Sequence, residues 1–202
     1  MESEEGPKRP PSFRTLESNS MSTVILCLGN EFAGDDGIGI RVARVLATLA
    51  LPPGVALEVR PNLGFGLVDA MAMAERVVLV DAMSTGRAAG TCVVSDAADM
   101  AISGAVVPCC HLFGIADVLA VARRLSPDKT IASVQVIGVE GLCFEDCHTG
   151  LSDAVRAALP VAVGHVLDVI EAADELRSRA RDYCRAWTVR DPTTSEVCEF
   201  RL

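Results

Sequence analysis

Apolar and polar residues change period several times along the chain, and the changes divide it into elements. "STVILCLG" at 22–29 is a short, β-rich apolar run closed by glycine, which predicts a strand. "DDGIGIRVARVLATLA" follows with Ile38, Val42, Val45, Leu46 and Leu49 at helical spacing, and Pro52-Pro53-Gly54 closes it. "VALEVR" reads as a second strand, "GLVDAMAMA" as a short helix and "RVVLVDA" as a third strand, buried on both faces. "GTCVVSD" predicts strand four, "HLFGIADVLAVARRL" a helix and "IASVQVIGVE" strand five. The run from 151 to 181 opens on a Ser-Asp cap and predicts one long final helix, with Pro160 as its kink or break.

Strands alternating with helices predict an α/β fold: an open, doubly wound, mostly parallel five-stranded sheet with helices on both faces. Residues 1–21 are polar, charged and Pro-containing, and are expected to form a disordered tail. Residues 22–172 form the single α/β domain, and 173–202 hold the end of the last helix and a C-terminal extension to which the pattern assigns no role. Ligands of such sheets bind beyond the carboxyl ends of the strands, so residues there are the first suspects.

Charge narrows the partners. A formal net charge of -9 over 202 residues disfavours nucleic acid, whose binding needs a basic surface, and an anionic membrane surface. No apolar run approaches the roughly 18 residues of a membrane span, and the N-terminal stretch lacks a signal-peptide core, which together predict a cytoplasmic protein. The eight cysteines (27, 92, 109, 110, 143, 147, 184 and 198) are then expected as reduced thiols, with Cys27 and Cys92 as small core residues.

The loop "CLGNEFAGDDGIG" at 27–39 carries the most informative chemistry. Its glycines have the wrong spacing for a dinucleotide fingerprint. "GNEFAG" resembles the start of a P-loop, but Asp35 and Asp36 stand where Lys and Ser or Thr should follow. With Glu31 also present, the loop repels phosphate and suits a cation. Capping of the following helix explains one of the two aspartates equally well. Asp81 ends the third strand, where a turn-forming Asp is the plainer alternative, and His111 opens a later helix. Two carboxylates and one imidazole at strand ends make a three-ligand cation site with an open position.

Other signals are weaker. His165 lies among apolar residues of the final helix and reads as packing or surface. His148, after Cys143 and Cys147, is a loop residue that could flank the same crevice, but a structural zinc site needs a second ligand pair. There is no GxSxG elbow and no HExxH motif.

Four motifs in order, "GNEFAGDDGIG", "VVLVDA", "HLFGIADVL" and "EDCHTGLSDAV", resemble those of the nickel-iron hydrogenase maturation proteases, over about residues 23–170. The resemblance implies an endopeptidase that removes a C-terminal extension from the hydrogenase large-subunit precursor after nickel insertion. It implies Asp36, Asp81 and His111 as metal ligands and catalytic residues, with Asp35, Glu31, Asn30 and His148 as secondary candidates. Nickel would arrive with the substrate and act as the recognition signal, with no nucleotide cofactor. Two other functions fit the chain: a nickel-binding assembly or quality-control factor without proteolysis, and a nucleotide- or cofactor-binding module, against which the loop charge counts.

Overall fold

The computed structural model describes residues 21–61, 68–70, 74–97, 99, 120, 121, 124, 133–144 and 149–190. The expected tail other than Met21, most of the helix expected at 111–125, and residues 191–202 lie outside these. Five strands form one sheet in the order β2-β1-β3-β5-β4: β1 Met21–Leu28, β2 Val55–Arg60, β3 Ala74–Met83, β4 Cys92–Asp96 and β5 Ser133–Glu140. All pairings are parallel except β4 with β5, so β4 is an antiparallel edge. This is the α/β sheet expected from the sequence, and Met21 belongs to β1 rather than to a tail.

The central strands are near-continuous apolar runs because both their faces are covered. Ile25, Cys27, Val78, Val80, Ile137 and Val139 pack towards the helices α1 (Ile38–Ala47), α2 (Asp153–Val169) and α3 (Asp174–Arg190). Val24, Leu26, Val77, Leu79 and Val136 pack on the opposite face, with Ala70 and Ala97. Among the described residues no helix is long and apolar enough to cross a membrane.

A 3-10 turn, Gly34–Gly37, leads into α1, and neither has a side-chain cap at its N-terminus. The missing cap forgoes about 1 kcal/mol. Burial of Ile38, Val42 and Leu46, each 0% exposed, stabilises by roughly 1.5–3 kcal/mol per side chain and outweighs it.

The single long final helix expected over 151–181 is two helices, and the break is not at Pro160, which lies inside α2. Proline in a helix interior costs about 3 kcal/mol. Burial of Val155, Leu159, Val163, Val166 and Leu167 along the same helix offsets that loss. The chain instead turns at Glu171, whose φ of 53° is left-handed. Ala172 N–H donates to Leu167 O at 2.9 Å and Glu171 N–H to Asp168 O at 3.0 Å, the two bonds of a Schellman ending. Arg177, from the first turn of α3, donates to Leu167 O and Ala172 O and pairs with Asp168, so α3 is latched onto the end of α2. Helix α3 then continues to Arg190, through residues whose pattern gave no element.

Candidate active site

Strands β1, β2, β3 and β5 run parallel, so their carboxyl ends share one side of the sheet. The β1–α1 loop is drawn tightly onto that side. Gly29 has φ of 138°, and a Cβ there would stand 2.0 Å from the backbone oxygen of Asp36, so only glycine lets the 3-10 turn close back on the end of β1. A Cβ on Gly39 would stand 2.0 Å from Leu28 O, which sets the start of α1 directly against the same strand.

The two adjacent aspartates do different work. Asp35, 0% exposed, reaches across to the loop after β5 and to the start of α2. Its Oδ2 accepts the N–H groups of Leu142 (2.8 Å) and Cys143 (3.0 Å) and the hydroxyl of Ser152 (2.9 Å), while Oδ1 accepts Ser152 N–H at 2.6 Å. Its own N–H donates to Cys143 O at 2.8 Å. Asp35 therefore caps neither the 3-10 turn nor α1. Ser152, expected to cap the final helix, stands at the N-cap of α2 but gives its hydroxyl to Asp35 instead.

Asp36 bonds its own loop. It is 2% exposed, and its Oδ2 accepts Asn30 N–H at 2.7 Å. Asn30 in turn accepts Phe32 N–H on Oδ1 at 3.0 Å and Ala33 N–H on its backbone oxygen at 3.1 Å, which fixes the loop that carries the carboxylate. Asn30 is thus an organiser of this loop. Glu31 points elsewhere: it pairs with Arg44 of α1 at 2.6 Å on the surface.

Asp81 lies within β3, opposite Gly138 of β5. Strand alternation gives it the face of Val77 and Leu79. It is 3% exposed and accepts Ala82 N–H at 2.8 Å, so it bonds a neighbouring backbone group as a turn aspartate does, yet from inside a strand. Its charge is felt by the thiol of Cys27: burial first, and the Asp81 carboxylate second, push that thiol well above the usual cysteine range. Cys27 is thereby an inert core residue. The 3-10 turn lies against β3, so Asp36 and Asp81 are carried by adjoining elements.

His111 and His148 lie outside the described residues. Among the described residues, no group of three His, Cys, Asp or Glu side chains is placed to hold a metal ion. His165 sits on the surface of α2, 4.0 Å from Asp168.

Sequence reasoning missed Glu140, at the end of β5, although a carboxylate after "SVQVIGV" is the same signal that marks Asp81. Glu140 is 2% exposed. It accepts the Thr85 hydroxyl at 2.7 Å and the N–H groups of Thr85, Gly86 and Arg87 at 2.6, 2.7 and 3.1 Å. Burial raises its carboxyl, but these four hydrogen bonds prevail and hold it below the ordinary carboxylate range. Its role is to fold the β3–β4 loop back over the strand ends.

A mostly parallel α/β sheet with carboxylates buried beside its carboxyl ends is the class of architecture that the described residues define. Comparison with known proteins gives the class a family. The model of the hydrogenase maturation protease family matches residues 62–169, which include Asp81 and His111. The chain is 29% identical to the hydrogenase expression/formation protein HupD of Rhodobacter capsulatus, over 82% of this chain and 76% of that one. It is 30% identical to HupM of Azotobacter chroococcum mcd 1, over 75% and 73%. Its fold is similar to that of the hydrogenase maturating endopeptidase HybD from E. coli, with a TM-score of 0.65 and 26% identity over 75% of this chain and 93% of that one. The chain belongs to the hydrogenase maturation protease family and is a peptidase of hydrogenase maturation.

Proposed function

We propose that this peptidase removes the C-terminal extension from the precursor of a nickel-iron hydrogenase large subunit, and that nickel already seated in the precursor is its recognition signal. The observation that carries the reading is the pair Asp36 and Asp81, 2% and 3% exposed, on adjoining elements at the carboxyl ends of parallel strands. Carboxylates this deeply buried need hydrogen bonds or a cation, and two hard oxygen donors suit a divalent ion whose remaining positions are filled by nitrogen or by the substrate. With His111, which lies within the matched family region, Asp36 and Asp81 would hold the substrate's nickel ion. The ion's positive charge would fix and polarise the peptide next to it.

The chain's own residues do the rest. One of the two carboxylates takes a proton from water as the water oxygen bonds to the scissile carbonyl carbon. The carbon–nitrogen bond then breaks, the leaving amine receives that proton, and the carboxylate is regenerated. Asp35 and Asn30 hold the loop in place during this exchange, and Glu140 holds the opposite one. The setting proposed is the cytoplasm, supported by Cys27, Cys92 and Cys143, which are thiols outside any disulfide.

The test is mass spectrometry of nickel-loaded and nickel-free precursors incubated with the protein. Release of one discrete C-terminal peptide from the loaded precursor only is expected. Cleavage of both alike would remove nickel as the signal, and nickel-dependent binding without cleavage would leave an assembly factor.

A further inference from the structure

Among the described residues, the two most exposed large hydrophobic side chains are Leu142, at 70%, and Phe32, at 63%. Single exposed apolar residues are ordinary on a protein surface. These two are distinguished by where they stand and by what holds them. Phe32 follows β1 and Leu142 follows β5, and β3, which carries Asp81, lies between those strands. The ends of β1 and β5 are two strand spacings apart, roughly 10 Å. The backbone of each residue is fixed through one of the adjacent aspartates: Leu142 N–H is bound by Asp35, and Phe32 N–H by Asn30, which is itself bound by Asp36. Asp35 joins the two loops directly, its N–H donating to Cys143 O at 2.8 Å, so both apolar residues are carried on one hydrogen-bonded pair of loops next to the buried carboxylates.

We infer that Phe32 and Leu142 together bind the precursor polypeptide beside the scissile bond, by contact with apolar side chains of that segment. The inference rests on the function proposed above. A peptide bond brought to Asp36 lies beside the loop that carries it, and Phe32 stands on that loop and Leu142 on the loop bonded to it. An apolar contact there adds affinity without adding charge next to the cation. Because the backbone of both residues is already hydrogen-bonded, little backbone ordering cost offsets the contact.

The experiment measures the affinity of the full-length protein for nickel-loaded precursor, in wild type and in Phe32→Ser, Leu142→Ser and Val161→Ser. Val161 is also exposed, at 51%, but lies two turns into α2. Weakening of about tenfold or more by each of the first two, and none by the third, is the expected result; this corresponds to about 1.4 kcal/mol or more. Unchanged affinity in Phe32→Ser and Leu142→Ser, or no precursor binding by wild type, would overturn the inference. Sedimentation of the same samples separates the other occupant: wild type that self-associates and variants that do not, at equal precursor affinity, would assign these two side chains to a contact with a second copy of this chain. Binding that responds as expected without any cleavage would sink the protease reading and leave the docking surface standing.

Discussion

The carboxylate of Asp35 accepts both the backbone N–H and the hydroxyl of Ser152, 117 residues further along the chain. This one side chain ties the β1–α1 loop to the start of α2, and with Leu142 and Cys143 it ties both to the end of β5. The immediate neighbour Asp36 is thereby carried on a loop that is tied down on both sides. A buried carboxylate that holds loops and the buried carboxylate proposed to act on the substrate are thus consecutive residues.

Replacing Asp35 with Ala is expected to destabilise the protein by about 3 kcal/mol or more, since each buried donor left without a partner costs roughly 1–3 kcal/mol. Urea denaturation measures it. A loss below about 1 kcal/mol would show that water replaces the carboxylate and that Asp35 is not the tie.

Glu140 predicts a pH dependence with a definite sign. Its folded carboxyl titrates below the unfolded value of about 4.3, so its stabilisation is fully present above that value. It is lost as pH falls through the folded value. Glu140→Gln should therefore be less stable than wild type at pH 7, by about 1–3 kcal/mol, and the gap should narrow towards pH 3. Thermal unfolding at both values measures the gap, and one that widens in acid would contradict the assignment.

At Gly29 the prediction is steric. Ala there meets Asp36 O at 2.0 Å in a backbone conformation that side chains rarely adopt. Gly29→Ala should cost about 1–3 kcal/mol in stability and lower the cleavage rate together with it. Full activity at unchanged melting temperature would mean that the loop has another way to close.

Glu171 offers a gain. It occupies the left-handed C′ position of a Schellman ending, where glycine is strain-free. Glu171→Gly should raise stability by about 0.5–1 kcal/mol, read by urea denaturation. A loss would show that the Glu171 side chain makes a contribution its backbone conformation conceals.

Much of this was legible in the sequence because the governing pattern was local. The five strands follow from apolar runs bounded by turn residues, and the acidic loop stands out because Asp35 and Asp36 replace the residues a phosphate would demand. What was not legible depended on distant partners. Nothing near Asp35 reveals that its donors come from Leu142, Cys143 and Ser152, so capping was an equal explanation. Pro160 looked like the break in the last helix because its cost is local, whereas the apolar side chains that outweigh it contact other elements. The real break at Glu171 lacks the glycine that usually marks such an ending. Glu140 was passed over because its four donors lie in a loop more than fifty residues earlier.

The most direct test of the central claim is the rate at which Asp36→Asn and Asp81→Asn release the C-terminal peptide from nickel-loaded precursor, followed by mass spectrometry beside wild type. Each substitution keeps the side chain's size and removes its charge. A fall of about a hundredfold or more in each variant, with folding retained, is the predicted result. Wild-type rates in either variant would remove that carboxylate from the site.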